Sequence, residues 1–268
     1  MLRPNYDVWL DMFSRTMDEG YTIAPRGFVI KELRDYQFTI DSLYPFMNFM
    51  HRKLNIPYFK KEMIWKLGGD PFDDSIKLHA KMWDQVQNTD GSFNSNYGQY
   101  WFGQQQGLMK VFNELVLDKD SRRAVIPMLS DKHIGPHVKD TVCTECVGFH
   151  IRGDILHMSV HMRSSDQIFG LGTDLPTFAF LQRLLLGMLK SVYPTLRLGT
   201  MTVTAMSSHI YDRHFVMVDN ILNDTRIAEC SVMPVVTSPE EAFKIVASRG
   251  RVDPSWGPLA FWLTQEIA

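Results

Sequence analysis

Cysteine is scarce in this chain, with three in 268 residues: Cys143, Cys146 and Cys230. Three thiols make no disulfide framework, and the set reads as a reduced, intracellular protein. Long apolar runs are missing too. None reaches the roughly 20 residues that a membrane span needs, and the start, MLRPNYDVWLDMFSRTMDEG, scatters acids where a signal peptide keeps a continuous apolar core. An excess of basic charge is also absent. A net charge of −2 argues against a broad electrostatic footprint for nucleic acid, although a local basic pocket remains compatible with it. Repeats, low-complexity tracts and linker-like composition do not occur. The expectation is therefore one domain over 1–268, cytoplasmic, with neither membrane nor nucleic acid as partner.

What is present is ample core-forming material, 45% hydrophobic and 12% aromatic residues, which excludes disordered and fibrous classes. Periodicity predicts a helix over 4–19, where Tyr6, Trp9, Leu10, Phe13 and Met17 share a face and Gly20 stops it. A β-rich stretch follows over 22–41, broken by Pro25, Arg26 and Gly27. Helices are expected over 41–54, 58–67, 74–88 and 103–117, with a turn-rich loop over 88–98. Residues 118–129 (DKDSRRAVIPML) end in a short strand, and 130–142 form an irregular loop. Strands are expected over 147–151 and 155–162 around a turn at Arg152-Gly153-Asp154. A core helix then starts near Asp174 or Pro176 and runs to about Val192. A strand over 198–206, a turn SSHIYDRH with a helix to about 222, a strand over 226–236, a helix over 238–247 and an irregular tail complete the chain. Helices interleaved with about six strands give an α/β or α+β fold.

The chemistry concentrates between Cys143 and Asp174, CTECVGFHIRGDILHMSVHMRSSDQIFGLGTD. A reactive thiol needs a nearby cation to hold it as thiolate, and an anionic ligand needs an arginine with hydroxyls beside it. The pattern Cys143-x-x-Cys146-x3-His150 is a weak zinc reading, because no second pair follows at usable spacing. His157 and His161 lie on a strand, about 13 Å apart by the rise per residue, so no metal is expected. GLGTD is too short for a dinucleotide fingerprint. On the helix EMIWKLGGD, Glu62 sits among Ile64, Trp65 and Leu67; position alone favours an ordinary surface glutamate over an inward-facing one. Arg122 and Arg123 are adjacent on a strand, so their side chains point to opposite faces and do not grip one group on their own subunit.

Several of these motifs, in this order and spacing, resemble the thymidylate synthase family and its pyrimidine hydroxymethylase relatives. EMIWKLGGD resembles the family's E-L-L-W-F-L-x-G-D, MWD its I-W-D, and NYGQYW its Y-G-x-Q-W. DSRR matches outright. Cys143, thirteen residues before Leu156, matches the spacing of the family nucleophile, and Cys146 does not. RSSDQIFGLGTD resembles R-S-x-D-x-x-L-G-L-P-F-N, and SSHIYDRH resembles D-x-H-x-Y-x-N-H. The resemblance covers about residues 58–215. It implies one mixed, mainly six-stranded sheet packed with helices, with a sheet face forming a homodimer interface. It also implies 5,10-methylenetetrahydrofolate as co-substrate and a pyrimidine nucleoside monophosphate as substrate. Cys143, Glu62 and Asp166 would be catalytic. Arg163 and Ser164 would bind phosphate, with Arg122 and Arg123 donated across the interface and Arg26 matching the arginine of a shortened phosphate loop. His209 and Tyr211 would hold the sugar, and Trp83 and Tyr97 would line the pocket.

The departures are specific. Thr144 follows the nucleophile where the family carries histidine, Met162 precedes the arginine where it carries glutamine, and the C-terminal tail does not match. Asp174 occupies the position of the family's uracil-reading asparagine. Cytosine offers an N4 amino donor and an N3 acceptor; a carboxyl accepts from the first and, when protonated, donates to the second. Against O4 of uracil a carboxylate is mismatched, and a wrongly paired buried polar group costs roughly 1–3 kcal/mol. On local grounds Asp174 also fits a helix N-cap before Leu175-Pro176. The resulting expectation is a deoxycytidylate 5-hydroxymethyltransferase. A cytidylate C5-methylase, a CMP hydroxymethylase and, less well fitted, a uridylate enzyme are the alternatives within this chemistry. A catalytically silent nucleotide- or RNA-binding relative is the alternative outside it.

Overall fold

The structure is a computed structural model that describes residues 5–135, 138–226, 228 and 231–265. The amphipathic start forms α1 (Tyr6–Glu19), which buries Trp9, Met12, Phe13 and Thr16 and ends as expected at Gly20. β1 (Tyr21–Ile23) and β2 (Ile30–Asp41) follow, separated by one tight turn at Pro25–Gly27. Along β2 the buried positions step from Leu33 to Tyr36, because Asp35 adopts φ 51° and drops out of the pairing together with Met206 opposite it, without a change of register.

Residues 42–55 form turns and irregular backbone where a helix was expected. Pro45 disfavours helical backbone at Tyr44, and Phe46, Met47 and Phe49 are buried without helical periodicity. α2 (Ile56–Gly68) is capped by Asn55, whose side chain accepts from Tyr58 N at 3.0 Å, and is stopped by Gly69 at φ 68°. The helix expected over 74–88 splits into one 3-10 turn and the short α3 (Met82–Val86). α4 (Gly98–Trp101) closes the 88–98 loop, and α5 (Gly107–Leu117) starts four residues later than the periodicity predicts.

β3 (Val125–Pro127), β4 (Thr144–Arg152), β5 (Ile155–Met162), β6 (Ser165–Asp166) and β7 (Arg197–Tyr211) complete the sheet. Its order is β1-β2-β7-β5-β4-β3, with β6 also pairing β7. Among the described residues the expected mixed sheet has six strands in one path and the short β6 beside it; β1 and β6 carry too few residues to show a period. β5 and β6 run parallel to β7, and the other pairs are antiparallel. A parallel step needs a crossover, and α6 (Gly170–Leu189) supplies it. Its residues Phe178, Leu181, Leu184, Leu185, Met188 and Leu189 are all fully buried, and each such burial is worth roughly 1.5–3 kcal/mol.

β5 presents Leu156, Met158, Val160 and Met162 to this core and His157, Ser159 and His161 to the opposite face. On that face Gln37 donates to Thr204 at 3.2 Å, and the hydroxyls of Thr39 and Thr202 pair at 2.9 Å. α7 (Phe215–Asn223), α8 (Pro239–Ala247) and α9 (Pro258–Thr264) follow β7, so the tail is partly helical. Buried Glu241 explains α9: its Oε1 accepts from Leu259 N at 2.7 Å and Ala260 N at 3.1 Å, filling that helix's N-terminal donors.

Three further expectations change. α6 begins at Gly170, so Asp174 lies inside the helix and is not its N-cap; Phe169 holds that place. The segment SSHIY belongs to β7 because β2 pairs with it through Tyr211. Residues 231–238 run irregularly. The carbonyls of Met233 and Pro234 are taken by the buried guanidinium of Arg183 at 3.2 and 3.1 Å, which leaves them unavailable to a sheet. The rest of the strand expected over 226–236 lies partly outside the described residues, as does Cys230.

Candidate active site

Cys143 stands one residue before β4, at the end of a loop held by two clamps. In the first, Asp140 accepts from Ser95 N at 2.7 Å and from the Ser95 hydroxyl, while Asp140 N donates to Asn88 Oδ1 at 3.1 Å. In the second, Arg163 at the end of β5 donates from Nε to the Val142 carbonyl at 2.9 Å and from Nη2 to the Thr141 carbonyl at 2.6 Å. The same Nη2 lies 3.6 Å from Cys143 Sγ. The cation expected beside the thiol is therefore present, but it does not win. Burial pushes the Cys143 thiol up to about 11; Arg163 and Arg26 pull it down, and Asp174 and Asp140 push it up further.

A second cluster lies on the helix side. Glu62 is buried on α2, and its Oε1 accepts from Lys66 Nζ at 2.6 Å, so the surface reading of Glu62 is excluded. Lys66 is only 2% exposed. Its ammonium also lies 3.5 Å from Thr177 Oγ1 and 5.1 Å from the centre of the Tyr97 ring. The Tyr58 hydroxyl accepts from Trp83 Nε1 at 2.9 Å and bonds to Glu62, and burial with that carboxylate raises its pKa. Trp83 itself is buried against Trp65 and Phe93, so it reaches the site through Tyr58. Tyr97 stacks on Phe178 and accepts from the Thr144 hydroxyl at 3.1 Å, joining this cluster to the residue after Cys143. Gly98 permits the closeness: a Cβ there would stand 1.6 Å from the Lys66 carbonyl oxygen.

Asp174 lies one helical turn before Thr177 on α6, on the same face. Burial pushes its carboxyl up to about 7; Lys66 pulls it down, and Glu62 and Asp166 push it up. Asp174 also acts electrostatically on Cys143, Tyr97 and Tyr58, so these groups converge on one place. Asp166 sits on β6 opposite His209 of β7. The buried amide of Gln167 ties this edge down, donating to Thr16 at 2.7 Å and Ser208 at 2.9 Å. Burial lowers the His209 pKa against the pull of Asp166, and its ring lies 5.1 Å from Tyr211. Ser164 lies half-buried between Arg163 and β6. Arg26 is exposed at φ 55°, with its charge felt at Cys143.

Arg122 and Arg123 are not brought to this place. β3 pairs with β4 so that Val125 faces Gly148 and Pro127 faces Cys146. The arginines therefore lie level with the far end of β4, about 20 Å along the strand from Cys143 by the rise per residue. Arg123 instead bonds Glu114 at 3.0 Å with its side chain 82% exposed.

Sequence reasoning missed Lys66, Tyr58, Thr177 and Arg52. For Lys66 the signal was legible, since Glu62 and Lys66 are four apart on a predicted helix and Lys66 replaces the phenylalanine of E-L-L-W-F-L-x-G-D. For Arg52 no local signal exists. Its buried guanidinium donates to the Ile168 carbonyl, 116 residues away, at 2.9 Å, and a Cβ on Gly172 would reach within 2.0 Å of it. Among the described residues no group of three or more His, Cys, Asp or Glu is placed to hold a metal ion, and no helix is long and apolar enough to cross a membrane. A cavity of about 680 Å³ lined by Asn88, Asp90, Asn94, Tyr100, Asp131 and His133 shares only the 88–98 loop with the site.

Comparison with known proteins matches a family model, Thymidylate synthase, over residues 7–246. Among curated proteins, the chain is 29% identical over 181 residues to a deoxycytidylate 5-hydroxymethyltransferase of Enterobacteria phage T6, covering 64% of this chain and 74% of that one. It is 26% identical to a deoxyuridylate hydroxymethyltransferase of Bacillus phage SP01, covering 64% and 49%. It is 28% identical to a thymidylate synthase of Fusobacterium nucleatum subsp. nucleatum, covering 57% and 54%.

Proposed function

The chain belongs to the thymidylate synthase family, and from that premise we propose that it is a deoxycytidylate 5-hydroxymethyltransferase, a folate-dependent one-carbon transferase acting as one catalytic domain. The observation that carries this reading is Asp174, a half-buried carboxyl whose desolvation puts its pKa up at about 7. At neutral pH such a group supplies both a donor for cytosine N3 and an acceptor for the N4 amino group. An ordinary carboxylate, ionised near 4, offers no donor. Uracil would present O4 to the acceptor side, lone pair to lone pair.

Cys143 adds its sulfur to C6 of the ring and gives up its proton to water as that bond forms, which places an electron pair at C5. Because burial holds the thiol up at about 11, the free enzyme keeps it protonated and ionisation accompanies attack. The Arg163 guanidinium at 3.6 Å stabilises sulfur as it gains and later sheds charge. Once that electron pair has bonded C5 to the one-carbon unit, Glu62, anchored by its neighbours, takes the proton from C5 through water as the carbon–nitrogen bond to the folate breaks and tetrahydrofolate leaves. It then orients the water that adds to the exocyclic methylene. The S–C6 bond breaks as the product leaves. Ser164 and Arg163 hold phosphate, and His209 and Tyr211 hold the sugar.

The one-carbon unit comes from 5,10-methylenetetrahydrofolate. The residues present fit a flat heterocycle bearing amino groups: Phe169 is 53% exposed, three residues from the Asp166 carboxylate. Arg122 and Arg123, exposed and remote from their own Cys143, would complete the site of a second copy, with the polar sheet face bearing His157, Ser159 and His161 as the dimer interface.

Replacing Asp174 with asparagine tests the reading. Asp174→Asn is expected to shift kcat/KM from deoxycytidylate toward deoxyuridylate by about tenfold or more, the equivalent of 1–3 kcal/mol of hydrogen-bond mismatch. Unchanged preference in a folded variant would sink the base-reading role.

A further inference from the structure

No step above uses Lys66, yet it is one of the most deeply buried charges in the protein. Burying an ammonium is unfavourable unless it is paired, and this one is paired asymmetrically. Its own helix presents Glu62, in contact at 2.6 Å, and Tyr58, bonded to the same carboxylate. α6 presents Thr177 at 3.5 Å and, one turn earlier, Asp174. Tyr97, just before α4, lays its ring 5.1 Å from the ammonium. Asp166 of β6 adds negative charge to the same surroundings. On the loop before β4, Cys143 and Asp140 both act on Tyr97, and Arg163 offsets them at the sulfur.

Two carboxyls, the buried Glu62 and the half-buried Asp174, thus share one ammonium in a place where water screens them poorly. The ammonium is committed to Glu62 by contact and by helix geometry, since i and i+4 side chains stack on one face. It reaches Asp174 only through the field. We propose that Lys66 is a specificity-determining positioning residue: its contact with Glu62 fixes that side chain and holds the ammonium off Asp174, which is thereby left as the carboxyl that keeps a proton for the base. Lys66 thereby links proton transfer at C5 to recognition of cytosine, and the ammonium needs no contact with the substrate to do so. The link to cytosine rests on the reading of Asp174 given above; the control of its proton does not.

The test titrates the Asp174 carboxyl in the substrate-free enzyme by ¹³C NMR with labelled aspartate, assigned against Asp174→Asn. In Lys66→Met the titration midpoint of Asp174 is expected to rise by about 1–3 units, because an opposing charge has gone. Lys66→Arg is expected to keep it near the wild-type value. In Glu62→Gln the freed ammonium turns to Asp174, and the midpoint is expected to fall by about 1–3 units. A merely structural lysine predicts no such opposed pair of shifts. In turnover, the alkaline limb of kcat/KM for deoxycytidylate moves upward in Lys66→Met while kcat falls, and Lys66→Arg restores both. An Asp174 midpoint that stays put in both Lys66→Met and Glu62→Gln overturns the proposal, and Glu62→Gln decides alone where Lys66→Met does not fold. Opposed shifts in an enzyme that does not turn over cytidylates uphold the control by Lys66 and reject only the assigned substrate.

Discussion

Cys143 has a guanidinium nitrogen 3.6 Å from its sulfur and is still a poor thiolate, because loss of water around the sulfur outweighs the arginine. Alkylation by iodoacetamide should therefore be slow near pH 7 and climb about tenfold per pH unit toward about 11. Arg163→Leu removes a group that lowers the pKa, so it should slow alkylation at every pH below that. A rate that levels off below pH 9 contradicts this. Cys143→Ser should abolish turnover, whereas Cys146→Ser should leave most of it, and comparable loss from Cys146 would overturn the nucleophile assignment. Asp174 carries a sign of its own. Its folded pKa of about 7 lies above its ordinary 3.8, so its contribution to stability is full below about pH 4 and is lost as pH rises through about 7. Urea midpoints of the protein relative to Asp174→Asn should accordingly fall between pH 4 and 7, and a rise over that window contradicts the burial of a neutral carboxyl. The identity of these residues was legible from motif spacing. Their protonation was not, because it depends on burial by segments distant in sequence.

The elements that position the site were partly legible. α1, the β4–β5 hairpin and the apolar face of α6 follow from period and turn signals. The start of α6 was misplaced because Pro176 reads as a first-turn residue, and only the packed structure shows Arg52 filling the space beside Gly172 and holding the Ile168 carbonyl. β7 was cut short because SSHIYDRH is polar enough to read as a turn, yet β2 pairs with it to Tyr211. The α2–α4 contact has no sequence signal beyond a glycine. Since a Cβ on Gly98 would meet backbone at 1.6 Å, Gly98→Ala forces α2 and α4 apart. It should cost about 3 kcal/mol or more in denaturant unfolding, at the upper end of overpacking. A loss under about 1 kcal/mol, ordinary for a surface change, contradicts the close approach.

At the scale of the whole molecule, a sheet with one face against helices leaves the other face lined by polar residues such as Gln37, Thr39, Thr202 and Thr204, and it puts Arg122 and Arg123 at the end of β4 far from their own thiol. Their pairing on one motif was legible, and their remoteness needed the β3–β4 register. If the site is shared, heterodimers of Arg122→Ala with Cys143→Ser should recover some of the activity that each homodimer lacks, and no recovery in verified heterodimers counts against it. The central claim, that this family member modifies cytidylate at C5 with hydration of the one-carbon unit, has a direct test. The enzyme is incubated with methylenetetrahydrofolate and dCMP, CMP and dUMP in competition, and the products are weighed. The account predicts dCMP gaining the mass of CH2O. A product gaining only CH2, or modification of dUMP in preference to dCMP, would contradict it.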